Sequence, residues 1–185
     1  MLVTLATLAL AADDPDTWDL SHVFPSVEAW EAAIPEAEAA IDRVRACEGT
    51  LAQGREQLAT CAAAWSDAQL RLSHLNLYAV QHSDADTRVD AWQQRRARVG
   101  NLWQSFGAAS AWVEPELQAL PDEVDSWLDD EALAAHRYPI EASRRRGEHT
   151  LSVEGERLLA LTAGPRRAPF QTYRTLTAAE VPWPT

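Results

Sequence analysis

Apolar residues recur three and four positions apart along much of this chain, the interval that lines one face of a helix. Trp30, Ala33 or Ile34, Ala37, Ile41 and Val44 form the first such stripe. Ser26 precedes it as an N-cap, and Glu28 stands in the first turn, where the helix dipole favours an acid. Pro35 lies inside the stripe and is expected to kink or restart the helix, because proline removes a backbone donor and crowds the preceding turn. The stretch Gly49 to Gly54 ends it.

Leu58, Cys61, Trp65, Ala68, Leu72, Leu75 and Ala79 follow at alternating intervals of three and four. That 3.5-residue repeat over about three heptads predicts a long helix packed nearly parallel to its neighbours. Gln81 to Asp86 reads as the polar turn that breaks it. A third helix is expected from about Thr87, with Val89, Trp92, Val99, Leu102, Trp103, Phe106, Ser110 and Val113 on its buried side. Arg95 and Arg98 fall on its polar side, whereas Arg96 takes a heptad position. Gly100 and Gly107 share one face, and each costs up to about 1 kcal/mol against Ala, so close helix contact is the expected compensation.

Beyond this the punctuation is denser. Glu114 to Glu131 holds eight acids and no Arg, and reads as a solvated surface with one short helix anchored by Trp127, Leu128 and Leu133. Ala134 to Arg146 reads as a helix ending in three arginines, where cations suit the helix C-terminus. Ser152 caps a further helix with Leu158 and Leu159 facing inward, and Gly164-Pro165 is expected to close it. A last helical piece runs from about Pro169 to Leu176, and Val181 to Thr185 is extended. No strand-like alternation of any length interrupts this series, so the expected fold is all-α: a bundle of about five to seven helices, mostly antiparallel.

Composition agrees and narrows the chemistry. The 185 residues correspond to roughly one domain. Gly is scarce at 7 residues and Ala abundant, which favours helix. All 16 basic residues are Arg, and the 28 acids leave a net charge of -12. Such a charge repels phosphate and argues against nucleic acid as a partner. The absence of Lys excludes Schiff-base and P-loop lysine chemistry. No apolar run reaches 18 residues, so no membrane span is expected.

Residues 1–12 begin with an apolar run, Leu2 to Ala12, that ends at Asp13 and Asp14. Its length suits the h-region of a signal peptide, with Ala9-Leu10-Ala11 as a small-x-small cleavage site, although no Arg precedes it. The reading is of an exported protein, periplasmic or extracellular, with residues 13–185 as the helical domain; the alternative is a cytoplasmic chain with an apolar N-terminal segment. Cys47 and Cys61 flank the Gly49–Gly54 loop. An antiparallel hairpin would bring them together, to bridge outside the cytosol or stay reduced within it.

A search for catalytic chemistry finds no constellation. None of His22, His74, His82, His136 and His149 has a second His four residues away, as a helical zinc motif requires. Each reads as a surface or capping histidine. No Gly-x-Ser-x-Gly elbow and no Walker or dinucleotide loop is present. Arg144, Arg145 and Arg146 could hold a carboxylate or phosphate, against the plainer reading of a capped helix end. Trp65, Trp92, Trp103 and Trp112 could line an aromatic groove, but at helical spacing they read as core anchors. No catalytic, cofactor-binding or metal-ligating residue is assigned, and no cofactor is expected in this chain.

Several segments taken in order resemble the N-terminal region of the oligoendopeptidase F family of zinc metallopeptidases, relatives of thimet oligopeptidase. They are Trp18-Asp19-Leu20-Ser21, Phe24-Pro25-Ser26, Glu48-Gly49-Thr50-Leu51, Leu75-Asn76-Leu77-Tyr78-Ala79, Glu114-Pro115-Glu116-Leu117, His136-Arg137-Tyr138, Glu148 to Ser152, Glu156 to Ala160 and Pro182-Trp183-Pro184-Thr185. Gly155 stands where an acid is expected in the capping stretch. The family's His-Glu-x-x-His and downstream Glu ligand have no match here, so no catalytic residue carries over. The resemblance implies a helical domain forming one wall of a channel that admits short peptides, with zinc held by a catalytic domain this chain lacks. It further implies a truncated or separately encoded half, inactive alone, whose partner is that domain. The alternative is an exported, non-catalytic helical module that binds a peptide or protein.

Overall fold

Seven α-helices follow one another in the computed structural model, which describes residues 18–147, 151–177 and 181. They are α1 (Val27–Ala46), α2 (Arg55–Ala85), α3 (Asp90–Ser110), α4 (Val113–Ala119), α5 (Arg137–Arg145), α6 (Val153–Leu161) and α7 (Ala163–Thr175). Short 3₁₀ turns at Leu51–Gln53, Asp122–Asp129 and Glu131–Leu133 connect them. No strand occurs among the described residues, so the all-α expectation holds. Residues 1–12, with the apolar run expected to be a signal peptide, lie outside the described residues, as do His149 and the final Pro182–Thr185.

The first three helices pack antiparallel in turn, and the cross-links between them give the register. Trp30 meets Leu75, Arg71 meets Glu36, Arg43 meets Asp67, and Cys47 is joined to Cys61, so α1 and α2 run in opposite directions. Arg96 pairs with Asp84 and Trp65 packs on Phe106, which reverses α3 against α2. Their apolar stripes make the core: Trp30, Ile34 and Val44 from α1, Leu58, Leu72 and Leu75 from α2, and Val99, Leu102 and Phe106 from α3, all buried. Ala37, Ala40, Ala68 and Ala79 are buried among them, and small side chains let helices of this length approach closely.

Several boundaries differ from expectation. Ser26 caps α1 as read, accepting the Ala29 amide at 3.3 Å, yet Pro35 neither ends nor restarts the helix. Pro35 is exposed, so the carbonyl it leaves without an amide partner faces water, and packing on the opposite face holds the helix through it. α2 continues through Gln81 to Ala85, because Tyr78 and Ser83 extend its buried face; the turn falls at Asp86 to Arg88. α3 accordingly begins at Asp90, and Val89 is exposed. α5 begins at Arg137, after the 3₁₀ turn that buries Leu133. Gly164 and Pro165 do not close α6; they fall in the first turn of α7, where proline has no amide bond to lose.

The largest correction concerns α6. Ser152 caps it as read, accepting the Gly155 amide at 3.3 Å, but Leu158 and Leu159 do not face inward. They are 54% and 41% exposed, and neither α6 nor α7 buries a single residue. Gly155 has a local reason. A Cβ there would stand 2.9 Å from Leu151 Cβ, so the acid expected at this position does not fit.

Candidate functional site

Among the described residues, an apolar cavity and a polar cavity lie between these helices. The apolar cavity, about 310 Å³, lies where α1, α2, α4 and α5 meet, beside the disulfide. Val44, Leu58, Trp65, Trp112, Leu117 and Ile140 supply its walls. Glu114 closes one side: its Oε2 accepts from the Ser143 hydroxyl at 2.8 Å and its Oε1 from Arg146 at 2.7 Å. Ser66 Oγ stands 3.3 Å from His136 Nδ1 on another wall. That pair is not a nucleophile–base device of the triad type, because no carboxylate among the described residues orients the imidazole. The cavity suits an apolar group, not a reaction.

The sequence places the two acids of α4, Glu114 and Glu116, in a solvated surface, whereas both accept hydrogen bonds from other parts of the fold. Glu116 accepts the Gly49 and Leu51 amides, each at 2.8 Å, and so closes the loop between α1 and α2. Gly49 takes φ +77°, which a side chain rarely permits. No local signal marks Glu116 for this role, since its partner Leu51 lies 65 positions away. Next to that loop the disulfide between Cys47 and Cys61 spans Cα atoms 5.8 Å apart, one of the two outcomes left open by the sequence.

The three arginines at the end of α5 are committed within the fold. Arg144 donates to the Leu120 carbonyl at 3.0 Å, Arg145 pairs with Glu141 and Arg146 with Glu114. Arg144 and Arg146 tie α5 to the α4 region, Arg145 pairs within α5, and among the described residues the three form no common anion site. The tryptophans divide likewise: Trp112 is buried, while Trp65, Trp92 and Trp103 are partly buried against the core, as anchors and not as an open groove.

Of the histidines, His22 and His74 are exposed as expected. His82 is half-buried. It stacks flat on Trp92, with ring centroids 4.1 Å apart and planes 7° from parallel, and meets the edge of Tyr78 at 4.6 Å. Burial, then the nearby Arg95 cation, push its pKa below the ordinary imidazole value. Arg95 itself lies over the Trp92 ring at 4.8 Å. Among the described residues no three His, Cys, Asp or Glu side chains come close enough to share a metal ion, so the residues present do not fit a zinc site.

The polar cavity, about 540 Å³, lies between α3, the end of α2 and α7. Arg96, Arg167 and Arg174 line it, with Asp84 as its one acid. Gly100 forms part of its floor; a Cβ there would meet nothing within 4 Å, so only Gly107, whose Cβ would stand 3.8 Å from Ala160, meets the expectation of close helix contact.

Comparison with known proteins aligns with this architecture. A family model described as "Oligopeptidase F" matches residues 116–182. The chain is 29% identical over 171 residues to oligopeptidase PepF of Bacillus subtilis, an alignment that covers 91% of this chain and 26% of that protein. It is 26% identical to a plasmid-encoded oligoendopeptidase F of Lactococcus lactis subsp. cremoris, with 91% of this chain and 28% of that protein covered. The crystal structure of oligoendopeptidase-F from Enterococcus faecium superposes with a TM-score of 0.78 at 26% identity, covering 85% of this chain and 31% of that one. The chain thus spans between a quarter and a third of the length of these relatives, and the resemblance seen in its sequence is borne out over most of its length.

Proposed function

We propose, from the premise of this similarity to oligoendopeptidase F over nine-tenths of the chain, that the protein is the N-terminal, channel-wall domain of a zinc metallopeptidase acting on short peptides. The zinc chemistry would belong to a separate catalytic domain, and this chain alone would be inactive. The observation that carries the reading is the bare apolar surface of α6 and α7. Leu158, Leu159, Leu161, Phe170, Tyr173 and Leu176 are each more than 40% exposed. Apolar residues set this closely on a pair of helices are expected to be covered by another protein surface. The relatives are three to four times longer, and their further length supplies an occupant: the catalytic domain, on the same chain or a separate one.

The test is a peptide-hydrolysis assay with and without added zinc. The purified chain is expected to leave an internally quenched octapeptide intact, and to gain activity when mixed or fused with the catalytic region of a related enzyme. Zinc-dependent hydrolysis by the chain alone would overturn the reading.

The disulfide favours a second reading, an exported module that binds peptides without cleaving them, since such bonds persist mainly outside the cytosol. Export itself fits both readings. Recovery of the chain from the periplasm or medium with residues 1–12 removed is the expected result.

A further inference from the structure

The polar cavity carries an inference independent of catalysis. This chain has a net charge of -12, yet three arginines and one aspartate line that cavity, a local excess of two positive charges. Arg96 and Arg174 both reach the same oxygen of Asp84, Oδ1, at 2.9 and 3.1 Å. One carboxylate therefore serves two guanidinium groups, and each retains donors for another acceptor. Arg167 is exposed and forms no ion pair or side-chain hydrogen bond among the described residues. Asn101, Gln104 and Gln171 line the same cavity, again without side-chain partners among the described residues. Carboxamides both donate and accept, as peptide groups do. Gly100 leaves the floor open, and Phe170, 62% exposed, gives the wall an apolar surface.

We propose that this cavity binds the carboxylate end of an extended peptide, with Arg167 and Arg174 holding the carboxylate and the carboxamides bonding to the preceding peptide units. A planar guanidinium can meet a carboxylate with two parallel hydrogen bonds, which separates this group from a neutral amide end. The cavity volume of about 540 Å³ lies in the range of ligand pockets and exceeds what a lone small anion fills.

Isothermal titration of the full 185-residue chain tests this with acetyl-tetraalanine as the free acid, its C-terminal amide, acetate and inorganic phosphate. The free acid is expected to bind at least about tenfold more tightly than the amide, and more tightly than acetate or phosphate. R167Q is expected to weaken the free acid by about tenfold. G100V, which fills the floor, should weaken it similarly, and both variants should unfold in one cooperative transition at a midpoint no lower than about that of the parent. Equal binding of acid and amide overturns the proposal, as does unchanged affinity in a folded R167Q or G100V. Phosphate binding as tightly as the peptide acid overturns its peptide part. The assay reads binding and not hydrolysis, so its failure and the failure of the peptidase reading are separate events.

Discussion

The Trp30 indole N–H donates to the Leu75 carbonyl oxygen at 3.0 Å, joining the first turn of α1 to the interior of α2 at a fully buried position. The bond sets the register of the two longest core stripes. W30F keeps the aromatic bulk and loses the donor, and is expected to cost about 1 kcal/mol, because the Leu75 carbonyl lies within a helix and keeps its backbone partner. W30A also opens a cavity and is expected to cost about 3–5 kcal/mol. Chemical denaturation of both variants checks the ratio; equal losses would mean that the ring volume plays no part.

Glu116 and the disulfide close the same loop from two directions, so their effects should not simply add. Reduction, or a C47S/C61S double substitution, is expected to cost about 3 kcal/mol, the value for a closed loop of this length. E116Q retains an acceptor for one of the two amides and should cost about 1 kcal/mol alone. A double-mutant cycle on thermal midpoints measures the coupling, which is expected to be nonzero.

The glycines separate by their surroundings. G100A should stabilise α3 by about 0.5–1 kcal/mol, since its Cβ meets nothing within 4 Å and helical Gly is entropically costly. G155A should destabilise by about 1–3 kcal/mol, because its Cβ would stand 2.9 Å from Leu151 Cβ. Opposite signs in urea midpoints are the expected result.

Stability should depend on pH through His82. Its pKa is lower in the folded protein than in the unfolded chain, chiefly through burial and then through Arg95. The unfolded state therefore binds the proton more readily. The stabilisation is fully present above the unfolded pKa of about 6.5 and is lost as pH falls through the depressed folded value. H82F, which retains the stack on Trp92, is expected to flatten this slope between about pH 7 and pH 5. Urea midpoints across that interval check it; an unchanged slope in H82F would exclude His82 as its source.

The bare helical face makes its own prediction. L159E/F170E places charge on residues that are 41% and 62% exposed in this chain, so folding stability should fall by no more than about 1 kcal/mol. Self-association and binding of a hydrophobic dye should both fall. Light scattering and dye fluorescence provide the measurement.

The sequence made α1 to α3 legible because each carries a one-sided stripe, and the buried Ile34, Leu72 and Leu102 lie on those stripes. Boundaries were less legible, since Pro35 and Gly164-Pro165 look like breaks until their exposure or first-turn position is known. The setting of His82 is not legible in the sequence, because its stack with Trp92 exists only once α2 and α3 fold back on each other. Leu158 and Leu159 differ from expectation for another reason. Helical periodicity marks an apolar face but does not say whether the same chain covers it. The polar cavity left no sequence signal, because Arg96 lies more than 70 positions before Arg167 and Arg174.

The two ends of the bundle should therefore differ in how often they open. Amides in the middle of α1, α2 and α3 sit over a packed core, so their exchange with solvent requires global unfolding. α6 and α7 bury no residue, and their amides can exchange through local fraying at small free-energy cost. Hydrogen exchange would thus see two protection levels in one domain, a slow helical trunk and a fast terminal pair, and any surface that clamps α6 and α7 would be recorded as a selective slowing of that pair.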